Sequence, residues 1–420
     1  MISKDFRKEI LMKKPEILSP AGNFEKMRSA ILYGADAIYL AGQIFGMRAA
    51  ADNFSLDEMR EAVKYAHDRG VRVYLTLNTM PREYEYDLLK KYLYDLKDMG
   101  LDAMIIADVG VLMLVKEMLP DMEIHISTQA NATSAAACNA WYSLGAKRVV
   151  LARELTLEEI KAIRANIPDD LEIECFVHGS MCISYSGRCL LSGHIVGRDG
   201  NRGMCAQPCR WNYTIRGYEI QEEKRPDCVM PVEEVNGETF IMASRDTCTI
   251  EHIPELIEAG INSFKIEGRM KSAYYTAVVT NTYKMAVSSY LSGDYKYDPA
   301  WYRELESVSH RDYATGYYFS DSHTDANLSE TNGYIKDKAF LAVATAYREE
   351  SGLVEFSQRN KMILGDEIEL LTPGRVGEPL EITGLYDADG NPIDSTPHPY
   401  MTFYVRANKK IKAGDIIRAK

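Results

Sequence analysis

A chain of 420 residues is long enough to bury one large core and still carry a smaller second domain. Its 49 basic and 61 acidic side chains leave a net charge of −12, which excludes nucleic-acid binding by bulk attraction and makes any phosphate site a local patch. The N-terminal Met-Ile-Ser-Lys-Asp-Phe-Arg-Lys has no apolar stretch behind it and no later run reaches the roughly eighteen apolar residues of a membrane span, so the expectation is a soluble, cytoplasmic protein with no membrane partner.

In chain order, an apolar run over 15–22 broken by Pro20 and Gly22 reads as a strand feeding a helix that lasts to Tyr33. The pattern repeats. Strands are expected over 35–41, 71–78, 102–108, 123–129, 148–151 and 171–177, and helices over 55–69, 84–99, 109–118, 134–144 and 156–166. Ser55 and Thr156 stand at N-cap positions, the latter with Glu159 placed for a capping box. Beyond a cysteine-rich stretch, residues 239–244 read as extended, 254–259 as helix, 261–268 as an eighth strand and 272–291 as a long closing helix. Strands alternating with helices at this spacing pair in parallel, and eight such units predict an α/β fold: a (β/α)8, TIM-like barrel over 1–293 with a Cys-rich insertion, about 174–230, after strand seven. The open doubly wound rival lacks a Gly-x-Gly-x-x-Gly turn after its first strand.

Residues 294–331 read as a connector, and 332–420 as a small C-terminal all-β barrel domain with strands over 340–347, 353–356, 367–371, 380–386 and 400–405. Lys361-Met362-Ile363-Leu364-Gly365-Asp366-Glu367-Ile368 is echoed by Lys410-Ile411-Lys412-Ala413-Gly414-Asp415-Ile416-Ile417, which predicts equivalent turns leading into two strands.

A barrel of this kind gathers its chemistry at the C-terminal ends of its strands. The polar residues closing the apolar runs are Ser19, Asn78, Asp108, Ser127, Gln129, Arg153, His178, Arg245, Asp246, Lys265, Glu267 and Arg269. In Phe264-Lys265-Ile266-Glu267-Gly268-Arg269 the charges alternate with apolar residues, so Lys265, Glu267 and Arg269 share one side of the strand. Charges aimed into a mouth are costly unless they bind something, which favours anion binding or proton transfer over a structural salt bridge. His178 is a candidate acid or base, or simply a hydrogen-bonded residue.

Five of the eight cysteines fall within 174–211. In a reducing compartment clustered thiols are more often metal ligands or nucleophiles than disulfides. Six residues separate Cys182 from Cys189, fifteen separate Cys189 from Cys205, and Cys205-Ala206-Gln207-Pro208-Cys209 closes the run. That spacing does not fit the paired knuckles of a zinc ribbon and suits an iron-sulfur cluster better, with zinc, a redox or catalytic thiol pair and disulfides as the alternatives. Cys228, nineteen residues past Cys209, competes for the fourth position. Cys138 and Cys175 read as buried filler, and Cys248 is undecided. Arg188, Arg198, Arg202, Arg210 and Trp211 form a local positive set suited to phosphates and stacked bases, unless neighbouring carboxylates neutralise it.

At these residues the chain resembles the collagenase-like peptidase family U-32. Glu174, Phe176, Gly179, Ser180, Met181, Cys182, Gly187, Cys189, Leu191 and Ser192 match every fixed position of its signature. Ser19-Pro20-Ala21-Gly22, Tyr39-Leu40, Lys265-Ile266-Glu267-Gly268-Arg269 and the C-terminal β-module match as well. Members of that family resemble iron-sulfur proteins that hydroxylate wobble uridine in tRNA, a ribosomal-RNA cytidine or a quinone ring. This chain is most similar to the branch that forms 5-hydroxyuridine in tRNA, for which prephenate is a required metabolite.

The resemblance implies a 4Fe-4S cluster on Cys182, Cys189, Cys205 and Cys209, with Cys228 taking the fourth place in some members. It implies tRNA and a small carboxylate metabolite as partners; a homologous subunit or homo-oligomer stays open. The roles expected are carboxylate binding by Lys265 and Arg269, proton exchange by Glu267 and His178, and RNA contacts by Arg198, Arg202, Arg210 and Trp211. The competing readings are a peptidase and a non-catalytic RNA-binding protein. A peptidase needs a nucleophile and base; the sequence has neither a His-Glu-x-x-His helix nor a Gly-x-Ser-x-Gly elbow, which leaves Cys182 with His178 as the pair to examine.

Overall fold

The computed structural model describes residues 14–47, 52–210, 244–320, 334–336, 338–348 and 352–420, together with short backbone strands at 220–222, 225–230, 234–235 and 238–239. The apolar runs form eight strands: β1 (Glu16–Pro20), β2 (Ala37–Leu40), β3 (Arg72–Leu77), β4 (Ala103–Ile106), β5 (Glu123–Ile126), β6 (Arg148–Val150), β7 (Glu172–Ser180) and β8 (Ser263–Ile266). Neighbours pair in parallel in sequence order, and β8 pairs with both β1 and β7, so the sheet closes on itself. Each strand is covered on both faces, which is why its sequence reads as a nearly continuous apolar run.

Eight helices wrap the barrel: α1 (Phe24–Leu32), α2 (Leu56–His67), α3 (Tyr86–Leu96), α4 (Val109–Met118), α5 (Ala135–Ser143), α6 (Leu157–Arg164), α7 (Ile253–Glu258) and α8 (Ala273–Leu291). Asn23, Ser55, Asp108, Ser134, Thr156 and Ser272 each accept the backbone N–H three residues on, and Glu58 and Glu159 complete capping boxes. These caps lie at the strand C-terminal rim, so Asp108 is spent on starting α4 and does not serve the mouth. Ser19 likewise faces α8, where its hydroxyl meets that of Thr280 at 2.8 Å.

The barrel floor is closed by matched charges. Arg148, 1% exposed, donates to Glu16 at 2.7 Å, Glu174 at 3.1 Å and Glu172 at 2.5 Å, while Tyr74 and Ser263 donate to Glu16. The cavity among the strand ends lies at the opposite end.

Strand β7 overruns the barrel. Its last residues pair antiparallel with Asp246–Cys248, Ser180 opposite Asp246 and Gly179 opposite Thr247, so the strands flanking the Cys-rich insertion are zipped into a stem. The register between β7 and β8 slips after Lys265–Phe176, leaving Ile266 opposite His178. That bulge turns His178 away from the interior.

The described part of the stretch expected as a connector, residues 294–320, is packed structure. It contains the helix Pro299–Glu306, whose Trp301 and Leu305 join the barrel's core, and Tyr313–Ala314 adds to the stem sheet. The C-terminal module is one antiparallel sheet of seven strands in the order Glu378–Leu380, Ile368–Leu371, Ile416–Ala419, Phe340–Arg348, Leu353–Gln358, Thr402–Ala407, Ile382–Tyr386. Its two edge strands are consecutive in the chain, joined through Glu381, so the curled sheet encloses a core of its own built on Phe356, Phe403 and Val405. The two Lys-x-x-x-Gly-Asp-x-Ile copies fold alike: Asp366 accepts the N–H of Ile363 and Asp415 that of Lys412, both at 2.8 Å, with Gly365 and Gly414 at φ of +100° and +91°. The strands they lead into are neighbours.

Module and barrel are joined by a buried arginine. Arg418 donates to both oxygens of Glu304 at 2.7 Å and to Glu369 at 2.8 Å, and Tyr274 of α8 stacks on Phe340 at 5.4 Å. Sandwiched between barrel and module, α8 is buried on most of its surface. Among the described residues no helix is long and apolar enough to cross a membrane.

Candidate functional site

Two cavities adjoin at the barrel mouth. The inner one, about 60 Å³, is lined from several strand ends by Tyr39, Thr76, Asn78, Ser127, Phe176, Lys265, Glu267 and Arg269. Over it lies a second, about 110 Å³, bordered by Cys182, Cys189, Cys205 and Cys209 together with Ser186, Ser192 and Arg210. Met47, Gln129 and Arg153 border both, so they form the wall between the thiols and the mouth.

The cysteine loop is pinned over the mouth by polar contacts and close backbone packing. Asn131 donates to the Ser186 carbonyl at 2.9 Å, Ser244 and Arg210 donate to the Met181 carbonyl at 2.7 and 3.0 Å, and Asn201 donates to the Cys189 carbonyl at 3.1 Å. Gly203, at φ +87°, lies so close to Gly46 that a Cβ there would sit 2.6 Å from the Gly46 carbonyl oxygen. The four thiols are free; Cys189 and Cys209 are half-buried, Cys182 and Cys205 exposed. Burial pushes the Cys209 thiol up, the Arg210 guanidinium opposes that, and Cys182, Cys205 and Cys189 each add to the rise, so the four sulfurs lie within electrostatic reach of one another. The Gln207 N–H donates to Cys205 Sγ at 3.4 Å.

This donor set bears on the expected cofactor. Among the described residues no three His, Cys, Asp or Glu side chains converge on a single metal position. One zinc draws its sulfurs to within about 4 Å of each other, whereas a cluster binds each thiolate through a separate iron and spreads them around an inorganic core. Four free thiols around one cavity, with a backbone donor aimed at a sulfur, fit the second arrangement. The side chain of Cys228 lies outside the described residues. Cys138, Cys175 and Cys248 are buried away from the cavity, and burial pushes the Cys138 and Cys248 thiols up to about 11 and about 12.

Of the four residues expected to act in catalysis, three line the mouth. Lys265 does so with its charge already engaged: Nζ lies 2.5 Å from Glu174 Oε1, both groups buried, under the faces of Tyr39 and Phe176. Burial opposes ionisation of Glu174, yet Lys265 and Arg148 together hold its carboxyl below the usual range. Lys265, expected to bind a substrate carboxylate, thus meets Glu174 in a buried ion pair at the edge of the mouth. Glu267 is half-buried on the mouth wall, and Arg269, 4% exposed, donates to Thr76 Oγ1 at 3.4 Å.

His178 is not in the mouth. Turned outward by the bulge, it is 1% exposed among the rings of Tyr275, Tyr283 and Tyr313, and burial pulls its imidazole down to about 3. Among the described residues no histidine borders either cavity, so the Cys182–His178 pair is not assembled.

The expected RNA-facing set is divided. Arg210 points inward, donating to the Met181 carbonyl and to Gln207 Oε1 at 3.3 Å, and borders the thiols. Arg202 is paired with Glu85 at 2.5 Å, so its charge is matched. Arg198 is exposed and holds the Met204 carbonyl at 2.9 Å. Trp211 lies outside the described residues. Asp246, expected at the rim, is buried against Arg311 at 2.8 Å.

Sequence reasoning overlooked Glu174 as a counter-charge. The signal was there, since Glu172, Glu174 and Phe176 alternate toward the interior on β7. Met47, supplied by the loop after β2, carried no signal. Arg153 proves more central than its rim position indicated: it donates to the Ser180 carbonyl at 3.0 Å and Ser186 Oγ at 2.9 Å, both neutral oxygens, and lies over the Phe176 ring at 4.7 Å.

Comparison with known proteins covers the same elements. The tRNA hydroxylation protein P1 of Bacillus subtilis is 36% identical over 98% of this chain and 96% of its own length. The tRNA hydroxylation protein P of Escherichia coli is 36% identical over 94% of each. A protein of Porphyromonas gingivalis named collagenase is 32% identical over 85% of this chain and 86% of its own. The family model for peptidase family U32 matches residues 22–328, which hold the barrel and cysteine loop, and the model for the U32 C-terminal domain matches 336–418, which hold the curled sheet. With both halves matched in this order, the chain belongs to peptidase family U32.

Proposed function

We propose that this chain is an RNA hydroxylase that converts a wobble uridine of tRNA to 5-hydroxyuridine, with an iron-sulfur cluster on Cys182, Cys189, Cys205 and Cys209 and prephenate as a small carboxylate co-substrate. The observation that carries this reading is the stacking of a four-thiol cavity on a charged barrel mouth through a shared wall of Met47, Gln129 and Arg153. The names of the Bacillus and Escherichia relatives, similar over nearly their whole length, support RNA hydroxylation as the reaction class. The absence of a histidine from both cavities, among the described residues, disfavours a thiol peptidase despite the collagenase relative.

In this reading Arg269, expected to bind carboxylates, shares that role with Arg153, which borders both cavities. Lys265 and Glu174 hold the floor rigid beneath them. Glu267, half-exposed on the wall, orients the co-substrate or exchanges a proton with it. A bound cluster supplies one-electron chemistry at the outer cavity. The loop over the mouth restricts water, and Arg198 on its outer face contacts the RNA. Mass spectrometry of tRNA nucleosides from cells with and without the gene tests the proposal: loss of 5-hydroxyuridine and its derivatives supports it, and an unchanged nucleoside profile refutes it.

A further inference from the structure

The repeated turn of the C-terminal module borders two grooves of opposite character. The first copy lines one of about 440 Å³ where Asp366, Glu367 and Glu381 outnumber Lys420. The second copy borders one of about 470 Å³ whose charged walls are Arg375, Lys409, Lys410, Lys412 and a single carboxylate, Glu378. Four cations against one acid is the reverse of the chain's balance of −12. Glu378 is shared between Lys409 at 2.9 Å and Arg375 at 3.8 Å. Lys410 and Lys412 are exposed and make no ion pair among the described residues. The turn does not need Lys412: its geometry comes from Gly414 and from Asp415, and the equivalent of Lys412 in the first copy is Ile363.

The groove is also fixed relative to the barrel. Asn281 of α8 donates to the Arg375 carbonyl and accepts from the Gly374 N–H, both at 2.7 Å, and Gly377 N–H donates to Glu304 at 2.9 Å, beside the buried Arg418. Whatever the cations grip is therefore held in a set relation to the mouth. Unpaired lysines on one wall of an open groove suit repeated, regularly spaced negative charge, as a phosphodiester backbone presents, and carry no base-reading geometry.

We propose that this groove is a second RNA-binding site, which grips the tRNA backbone away from the mouth and orients the substrate without reading its sequence. The inference rests on the RNA-hydroxylase reading above. Its test is the affinity of the full chain for unmodified tRNA across a salt series, by fluorescence anisotropy, for wild type, Arg375→Glu/Lys410→Glu/Lys412→Glu and the milder triple glutamine variant. Three lost phosphate contacts predict a salt slope shallower by about three and affinity weaker by at least about tenfold near physiological salt. In cells, the glutamate variant lowers 5-hydroxyuridine yield while iron content and unfolding midpoint stay at wild-type values. Unchanged affinity and slope in both variants, with wild type still binding tRNA and supporting hydroxylation, overturn this inference alone. Wild type that neither binds tRNA nor supports hydroxylation overturns the parent reading with it. Tight binding of a poly-glutamate probe but not of tRNA would assign the groove to an acidic protein segment and overturn the proposal.

Discussion

Replacing Lys265 with methionine separates a structural from a substrate-binding role for this amine. The Lys265–Glu174 contact is 2.5 Å, and both side chains are almost wholly buried, at 6% and 0% exposed. With charge centres about 4 Å apart and an effective dielectric near 20, the attraction is about 4 kcal/mol. Removing only the amine leaves Glu174 dependent on Arg148, which already serves Glu16 and Glu172. Loss of one partner of such a buried pair costs about 3–5 kcal/mol, whereas replacing both by apolar groups is often nearly neutral. Lys265→Met is therefore expected to destabilise the chain by about 3–5 kcal/mol, and Lys265→Met/Glu174→Leu to recover most of that loss. Denaturant unfolding of the four chains of the cycle, followed by circular dichroism, measures it. A single variant costing under about 1 kcal/mol, or a double variant costing the sum of the singles, would refute the ion-pair account and return Lys265 to the substrate.

Burial sets the imidazole of His178 at about 3 against a usual 6.5, so below pH 6.5 the unfolded chain binds a proton that the folded one refuses. Its contribution is complete above that value and lost as pH falls, at up to about 1.4 kcal/mol per unit; His178→Phe should flatten the acid limb of the stability profile and retain turnover, and lost turnover would place His178 in catalysis. Anaerobically purified Cys182→Ala, Cys189→Ala and Cys205→Ala should lack iron and visible absorption while Cys138→Ala and Cys248→Ala keep both, and comparing Cys209→Ala with Cys228→Ala decides the fourth ligand. Arg418→Met strands Glu304 in the domain junction and leaves Glu369 to Lys338 alone, at a cost of about 3–5 kcal/mol; calorimetry should then show barrel and module melting apart, and one unchanged transition would contradict the buried-bridge account.

Much of the barrel was legible because a parallel strand buried on both faces writes a short apolar run, and because helix starts carry caps such as Ser55 and Thr156. The four clustered thiols and the mouth residues 265, 267 and 269 were legible from spacing and alternation. His178 was misread because a one-residue bulge reverses alternation without a mark in the sequence. The ion pairs of Lys265 and Arg202 were not legible, because their partners, Glu174 and Glu85, are 91 and 117 residues away, and the sequence pattern is blind to such pairings. The stem strand Asp246–Cys248 is three residues long and has no periodicity to detect.

The central claim is that thiols at the barrel mouth serve RNA hydroxylation. Its most direct measurement is the 5-hydroxyuridine content of tRNA, by mass spectrometry, from a gene-deleted strain carrying wild type, Cys189→Ala or Cys248→Ala. Wild type and Cys248→Ala are predicted to restore the nucleoside and Cys189→Ala to leave it absent. Restoration by Cys189→Ala to the wild-type level would contradict the claim.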